Sequence, residues 1–296
     1  METASFFTSL IDGQPATAAE LAALAFAGHA HFTAMQVRDG RLRGLDLHLQ
    51  RLRQASLELY GQALSDDHVQ AQLRAALADG PQDVSLTATV YSPAGEFTAA
   101  DARPRMLVRT SAPASGPAGP LSLALFEHER MLPHLKHVGE VAKTHLLRRA
   151  VAQGFDDAAF ADRHGRIGEA TIWNLAFWDG DAVVWPRAQV LPGTTESMLR
   201  RQLQRLGVAQ RQAVLTLADL PPLAGAVVMN SWSPGIPVRR LADVHLPDAP
   251  GFVQLLHRAH EAEEPVAPCA LAMERRSRKP PPSLHPCSAD LSSAPC

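Results

Sequence analysis

Lysine is nearly absent from this chain. Of 28 lysines and arginines only three are lysine, namely Lys136, Lys143 and Lys279. Arginine therefore carries almost all the positive charge. With 30 acidic residues the formal charge is close to neutral, at −2, so nothing points to nucleic acid or an acidic membrane as a partner. Cysteine is scarce too. Cys269, Cys287 and Cys296 all lie at the C-terminal end, which leaves the body with neither a disulfide framework nor a thiolate metal site. Long apolar runs are missing. "LAALAFAG" at 21–28 is far shorter than the roughly 20 residues a spanning helix needs. "METASFF" has no basic n-region, so no signal peptide is expected and the cytoplasm is the default location. No GxGxxG or Walker-type loop follows a strand. The histidines are scattered. His29 and His31 share a face if extended, but no third ligand stands at a metal spacing, so no metal site is expected.

What remains is an ordinary globular composition over 296 residues, enough for two lobes with their own cores. "HFTAMQVRDGRLRGLDLH" reads as strand, Asp39-Gly40 turn and strand, with Asp46 as the N-cap of a helix running to Gly61. A helix over 66–78 and strands over 84–91 and 105–110 follow. "SAPASGPAGP" (111–120) has linker composition. The expected division is a small α/β domain at 1–110, the linker, and a large domain at 121–265. A tail rich in proline and serine follows at 266–296, expected to be disordered and to hold Lys279. In the large domain "LSLALF", "DDAAFAD", "TIWNLAFW" and "GAVVMN" read as strands, and Asp179-Gly180 as a hairpin turn. Helices are expected after Gly139, after Gly193 and over the "PGFVQLLHRAHEAEE" stretch. Mixed strands and hairpins in both lobes argue for an α+β fold.

Five features could carry chemistry. Lys136 lies in a punctuated stretch between Pro133 and Gly139, whereas Lys143 falls within the next helix. Either could be a solvated surface lysine. Either could also be there because a lysine, unlike an arginine, can lose its proton and act as a nucleophile. Glu169 enters an apolar strand, where it must meet a cation or a ring N–H, or else stay at a wet strand end. "LPGTTES" puts Gly193, Thr194 and Thr195 at a helix start, which caps the helix and also suits an anion. "NSWSPGIPV" offers Ser231 in a polar turn that binds a phosphate or satisfies its own backbone. Arg51 lies in "HLQRL" on a helix whose apolar face carries Leu49, Leu52 and Leu59, where it could simply be exposed.

The order of these pieces resembles the class IV, pyridoxal-phosphate-dependent aminotransferases, which include branched-chain and D-amino-acid aminotransferases and aminodeoxychorismate lyase. The resemblance runs through "FTAMQVRDG", "HLQRL", "LKHVGEVAKTHLLRRAVAQGFDDAAFAD", "GRIGEATIWNLAFW", "VLPGTTE" and "MNSWSPGIPV". It implies a two-domain fold-type-IV enzyme, similar to D-amino-acid aminotransferase, that forms a homodimer. It also implies the cofactor pyridoxal 5′-phosphate, held as a Schiff base on Lys136. Glu169 would pair with the pyridine nitrogen. Arg51, Gly193, Thr194, Thr195 and Ser231 would hold the phosphate. Lys143 would be a bystander on its helix. The implied reaction moves an amino group between an amino acid and a 2-oxo acid. One alternative is a lyase releasing pyruvate and 4-aminobenzoate from aminodeoxychorismate. Another is a protein that binds the cofactor without turnover. The sequence departs from the branched-chain pattern in several places. The strand "VSLTATVY" has no arginine, Phe32 to Gln36 replace the Phe-Glu-Thr-x-Arg stretch, Glu140 and Val141 stand where a tyrosine is found, and Glu196 replaces the arginine of "LPGITR".

Overall fold

The Asp39-Gly40 turn is built as its residues dictate. Both have positive φ, 50° and 68°, which a two-residue hairpin of right-handed strands requires. It joins β3 (Ala30–Arg38) to β4 (Arg41–Arg43). The computed structural model describes residues 6–25, 28–98 and 103–268. In chain order the first lobe contains β1 (Phe6–Ile11), β2 (Gln14–Pro15), α1 (Ala18–Ala25), β3, β4, α2 (Leu45–Tyr60), α3 (Asp66–Leu77), β5 (Val84–Tyr91) and β6 (Arg105–Ser111). Its strands form an antiparallel sheet in the order β4-β3-β5-β6-β1-β2. Residues alternate across β3: His31, Thr33, Met35 and Val37 are buried, while Phe32, Ala34 and Gln36 are half-buried on the other face. Met35 and Val37 pack with Leu49 and Leu52 of α2 and Leu73 of α3. Each such side chain contributes ~1.5–3 kcal/mol when fully buried.

Asp46 is not the N-cap of α2. The helix starts one residue earlier, at Leu45, and its cap is Gly44 in the left-handed region, with no side-chain hydrogen bond. Leu45 is buried with Leu49 one turn on, so packing draws the start forward. The Asp46 carboxylate reaches the other lobe instead, where Arg201 donates to it. Gly61 ends α2 as expected, with φ 67° and its N–H on the Leu57 carbonyl.

The second lobe comprises β7 (Leu121–Glu127), α4 (Val141–Ala152), β8 (Asp157–Ala161), β9 (Ile167–Ala170), β10 (Asn174–Trp178), β11 (Val183–Pro186), α5 (Thr194–Arg205), β12 (Gln210–Ala213), β13 (Gly225–Met229), β14 (Ile236–Leu241), β15 (Val244–His245) and α6 (Pro250–Glu261). Strands β10-β13-β14-β7-β8-β9 form a ring, closed where Glu169 of β9 pairs with Asn174 of β10. Successive side chains alternate between the inside of this barrel and its coat of helices. Leu175, Phe177 and Val228 point into the barrel core. Val227 and Met229 pack outwards with Leu199 and Leu203 of α5 and Leu256 of α6. The stretch read as one strand from Thr171 is broken. Thr171 to Trp173 form a tight turn, closed by the Ala170 N–H on the Trp173 carbonyl at 2.9 Å. Buried Asp157 secures it, accepting from the Thr171 hydroxyl at 2.6 Å and the Trp173 ring N–H at 2.8 Å.

Two backbone pairings also join the lobes. A final strand, β16 (Pro265–Val266), returns to pair with β4 of the first sheet. The loop before α4 also crosses over: the Phe32 N–H donates to the Lys136 carbonyl at 2.8 Å, and the Val138 N–H donates to the Ala30 carbonyl at 2.9 Å. The expected tail lies outside the described residues from 269 onward, as does Lys279. The α+β architecture expected from the sequence is the one found. Among the described residues, no helix is long and apolar enough to cross a membrane.

Candidate active site

Between β3, α2, the Lys136 loop and the start of α5 lies a cavity. Its walls include Phe32, Arg51, Lys136, Gly193, Thr195 and Ser231. Six of the seven residues that the resemblance assigns to the site line it: Arg51, Lys136, Gly193, Thr194, Thr195 and Ser231. Glu169 lies beyond Lys136, on the barrel wall.

The α5 end of the cavity is built for an anion. Gly193 caps α5 without any side-chain hydrogen bond, so the first N–H groups of the helix and its positive dipole end are not occupied by a cap. A Cβ on Gly193 would lie 2.0 Å from the Asn174 side-chain oxygen, so only glycine fits. Asn174 is held in turn by donating to the Leu191 carbonyl at 2.8 Å. The Thr195 hydroxyl donates to the Asn230 carbonyl at 2.9 Å, tying the helix start to the turn after β13. Arg51 reaches in from α2 and donates to the Pro192 carbonyl at 2.8 Å. No carboxylate pairs with it among the described residues. Burial pushes its guanidinium down to about 10, the mark of a cation lacking a counter-ion. Glu196, which departs from the expected arginine, pairs with Arg200 at 2.7 Å, and Arg200 stacks on Trp185 at 4.4 Å. Its charge is thus matched within α5.

Lys136 stands at the middle. Its ammonium lies 4.9 Å from the centre of the Phe32 ring. Burial, then the neighbouring Arg51, Lys143 and Arg130 charges, push it down to about 7, with Glu169 acting in the opposite direction. Half of it is then a neutral amine near pH 7, as a nucleophile or general base requires.

On the far side is a buried ionic cluster. Glu169 is only 5% exposed. One of its oxygens takes the Lys143 ammonium at 3.2 Å and lies 3.4 Å from Arg130; the other accepts the Leu191 N–H at 3.1 Å. Arg130 also donates to Glu140 at 2.6 Å and to the carbonyls of Pro133 and Leu135. Lys143 is therefore not a solvated helix residue, since its side chain is 13% exposed. Arg130 and Asn174 were missed by the sequence reading, which noted Glu140 only as a departure from the family pattern. Nothing local marks Arg130 or Asn174, whose positions matter only once the barrel closes. The rarity of lysine was a signal for Lys143 as well as for Lys136. Of the two clustered histidines, His31 bonds Ser56 at 2.9 Å and stacks near Tyr60, away from the cavity. Among the described residues no group of three His, Cys, Asp or Glu side chains could hold a metal ion.

A neighbouring cleft shares Thr195, Ser231 and Trp232 with this cavity, and Arg38, Arg41 and Arg43 of the β3–β4 hairpin line it together with Asp39. Arg38 donates to the Val37 and Ala114 carbonyls and Arg43 to the Glu261 carbonyl. None of the three pairs with a carboxylate among the described residues.

A profile of the family described as amino-transferase class IV matches residues 30–241. No curated protein matches the chain in sequence. Several solved structures share its fold. A putative 4-amino-4-deoxychorismate lyase from Legionella pneumophila is 21% identical with a TM-score of 0.74, covering 85% of this chain and 96% of its own. The PLP-bound form of a hypothetical aminotransferase from Mycobacterium tuberculosis is 21% identical with a TM-score of 0.72, covering 88% and 100%. The branched-chain amino acid aminotransferase from Escherichia coli is 16% identical with a TM-score of 0.73, covering 86% and 92%.

Proposed function

The chain belongs to the amino-transferase class IV family, and on that premise we propose that it is an aminotransferase exchanging an amino group between an amino acid and a 2-oxo acid. Pyridoxal 5′-phosphate is the family's cofactor. The residues present fit it. The observation that carries the reading is a depressed lysine, Lys136, standing between an uncapped helix start facing an unpaired arginine and a buried carboxylate.

When bound, the cofactor supplies an aldehyde that joins to amines and a ring that takes up negative charge from carbon. The protein's own groups do the rest. Arg51, the α5 N-terminus with Gly193, Thr194 and Thr195, and the Ser231 hydroxyl hold the phosphate. Glu169 would accept the ring N–H. Lys136 would hold the aldehyde carbon and would move a proton to and from the substrate carbon through its Nζ. The hairpin arginines give the substrate carboxylate a positive cleft beside Ser231, which supports a carboxylate-bearing substrate although β5 has no arginine. A homodimer belongs to this reading. Met131, Val138 and Val141, exposed around the Lys136 loop, are apolar side chains that a second copy would cover.

The Legionella neighbour supports a second reading, because its name is that of a lyase and its fold matches as well as the aminotransferases do. One series of measurements separates the two. The purified protein is given pyridoxal phosphate, its visible spectrum is recorded, and borohydride fixation is mapped by peptide analysis. A panel of amino donors with a 2-oxo acid acceptor follows. A fixed label on Lys136 and acceptor-dependent amino transfer are expected. Pyruvate and 4-aminobenzoate appearing from aminodeoxychorismate without acceptor would favour the lyase. A colourless protein that takes up no cofactor would overturn both.

A further inference from the structure

The charges around Glu169 pair off two by two. Arg130 is matched by Glu140, which it contacts directly, and Lys143 is matched by Glu169 at 3.2 Å. All four side chains are largely buried, at 5% exposure for Arg130, 7% for Glu169, 13% for Lys143 and 21% for Glu140. The cluster is thus neutral as it stands. Glu169 is also the carboxylate that, on the reading above, receives the cofactor's ring nitrogen. A protonated ring nitrogen brings a further positive charge into a buried place where both carboxylates already have partners. An unmatched buried charge is costly, so something must leave or lose a proton.

Lys143 is the group able to do so. Arg130 is held in place by Glu140 and by the Pro133 and Leu135 carbonyls. The Lys143 ammonium has no hydrogen-bond partner besides Glu169 among the described residues. Its remaining surroundings are the Phe160 ring of β8 at 5.9 Å, the Glu140 carboxylate, which favours its charge, and the more distant Lys136, His128 and Arg130. His137 faces Glu140 at 3.4 Å. Burial already pushes the Lys143 ammonium below its ordinary value, against the pull of Glu169.

We propose that Lys143 is a resident counter-ion of Glu169 that competes with the cofactor's ring nitrogen for this carboxylate, so that cofactor uptake expels a proton from Lys143. The proposal rests on the assignment of Glu169 to the ring nitrogen. The proton lost from Nζ goes to solvent, while the ring nitrogen keeps or gains its own. The lysine acts on the cofactor through Glu169 and touches no reacting atom, which makes it a tuning residue and not a catalytic one.

The test is the binding of pyridoxal 5′-phosphate to the full chain, followed by visible absorbance and by calorimetry in two buffers of different ionisation enthalpy. The two buffers give the number of protons exchanged. Lys143→Met should bind about tenfold more tightly than the parent, the equivalent of one charge-assisted hydrogen bond no longer contested, and should release about one proton fewer. Lys143→Arg, which cannot give up its proton, should bind more weakly than the parent. In a Glu169→Gln background the Lys143→Met substitution should make no difference. Lys143→Gln serves as a second neutral variant should the methionine protein fold poorly. Weaker or unchanged binding in the neutral variants, with the parent's proton count, would overturn the competition and leave the cofactor assignment standing. No uptake by the parent protein would overturn the assignment, and the competition with it.

Discussion

Asp46 at the start of α2 and Arg201 in α5 are joined across the lobes, with the arginine donating to both carboxylate oxygens at 2.7 and 3.2 Å. The same guanidinium grips Glu263 beyond α6, which Gln202 also contacts at 2.5 Å. This links the helix carrying Arg51 to the helix whose first turn lines the cavity. Glu263 is 7% exposed, whereas the Asp46 side chain is 53% exposed. Arg201→Ala should therefore cost about 3–5 kcal/mol, because it strands a buried carboxylate. Asp46→Asn should cost about 1 kcal/mol or less. Urea denaturation of both variants checks this, and equal losses would contradict it.

Lys136, pushed down to about 7, should capture pyridoxal phosphate with a yield that rises through pH 7, measured by borohydride fixation from pH 6 to 9. A midpoint near the ordinary lysine value would show that its surroundings do not depress it. The sign for stability is also fixed. Between pH 7 and that ordinary value the unfolded chain carries a proton on this lysine that the folded chain does not. Stability should rise with pH across this window, and Lys136→Met should lack that part of the slope. Lys136→Ala should abolish activity altogether.

Arg51→Ala should weaken cofactor affinity by ~1.5–3 kcal/mol if one charge-assisted bond is lost. Equilibrium dialysis against pyridoxal phosphate measures it. Unchanged affinity would make Arg51 a scaffold residue that serves only the Pro192 carbonyl.

Gly193→Ala places a methyl group 2.0 Å from the Asn174 oxygen. The helix start must then move, at a cost of about 1–3 kcal/mol, and cofactor binding should fall with it. A variant that melts at the parent's temperature and keeps full affinity would refute the tight cup.

Arg38 and Arg41 are assigned to the substrate and not to the cofactor. The double substitution to alanine should raise KM for carboxylate substrates while leaving the cofactor's visible band and affinity unchanged. A fall in kcat with constant KM would place the substrate carboxylate elsewhere.

Local patterns carried the sequence reading a long way. The Asp39-Gly40 turn, the Gly61 stop and the glycine before α5 each have a cause within a few residues, and each appears in the structure. What failed was what depended on the other lobe. Asp46 has the chemistry of a cap, but Arg201, 155 positions away, claims it. β12, with the partly exposed polar sequence Gln-Arg-Gln-Ala, gives no strand pattern and is a strand only because it lies parallel to β11. Lys143 looked solvated because α4 buries only Leu146 and Ala150. So weak a stripe cannot say which way a lysine one turn earlier points. The motif order found Glu169 but not its cationic partners, which a closed barrel brings together from separate segments.

The two backbone hydrogen bonds between β3 and the Lys136 loop bear on how such a protein could arise or be divided. The amine that would do the chemistry belongs to one lobe by sequence, yet it is aimed by a strand of the other. A gene split in the 112–120 segment would give two polypeptides, neither with a fraction of the parent's activity. Function would return only on reassembly and in proportion to it, so the lobes are inherited, and lost, as one unit.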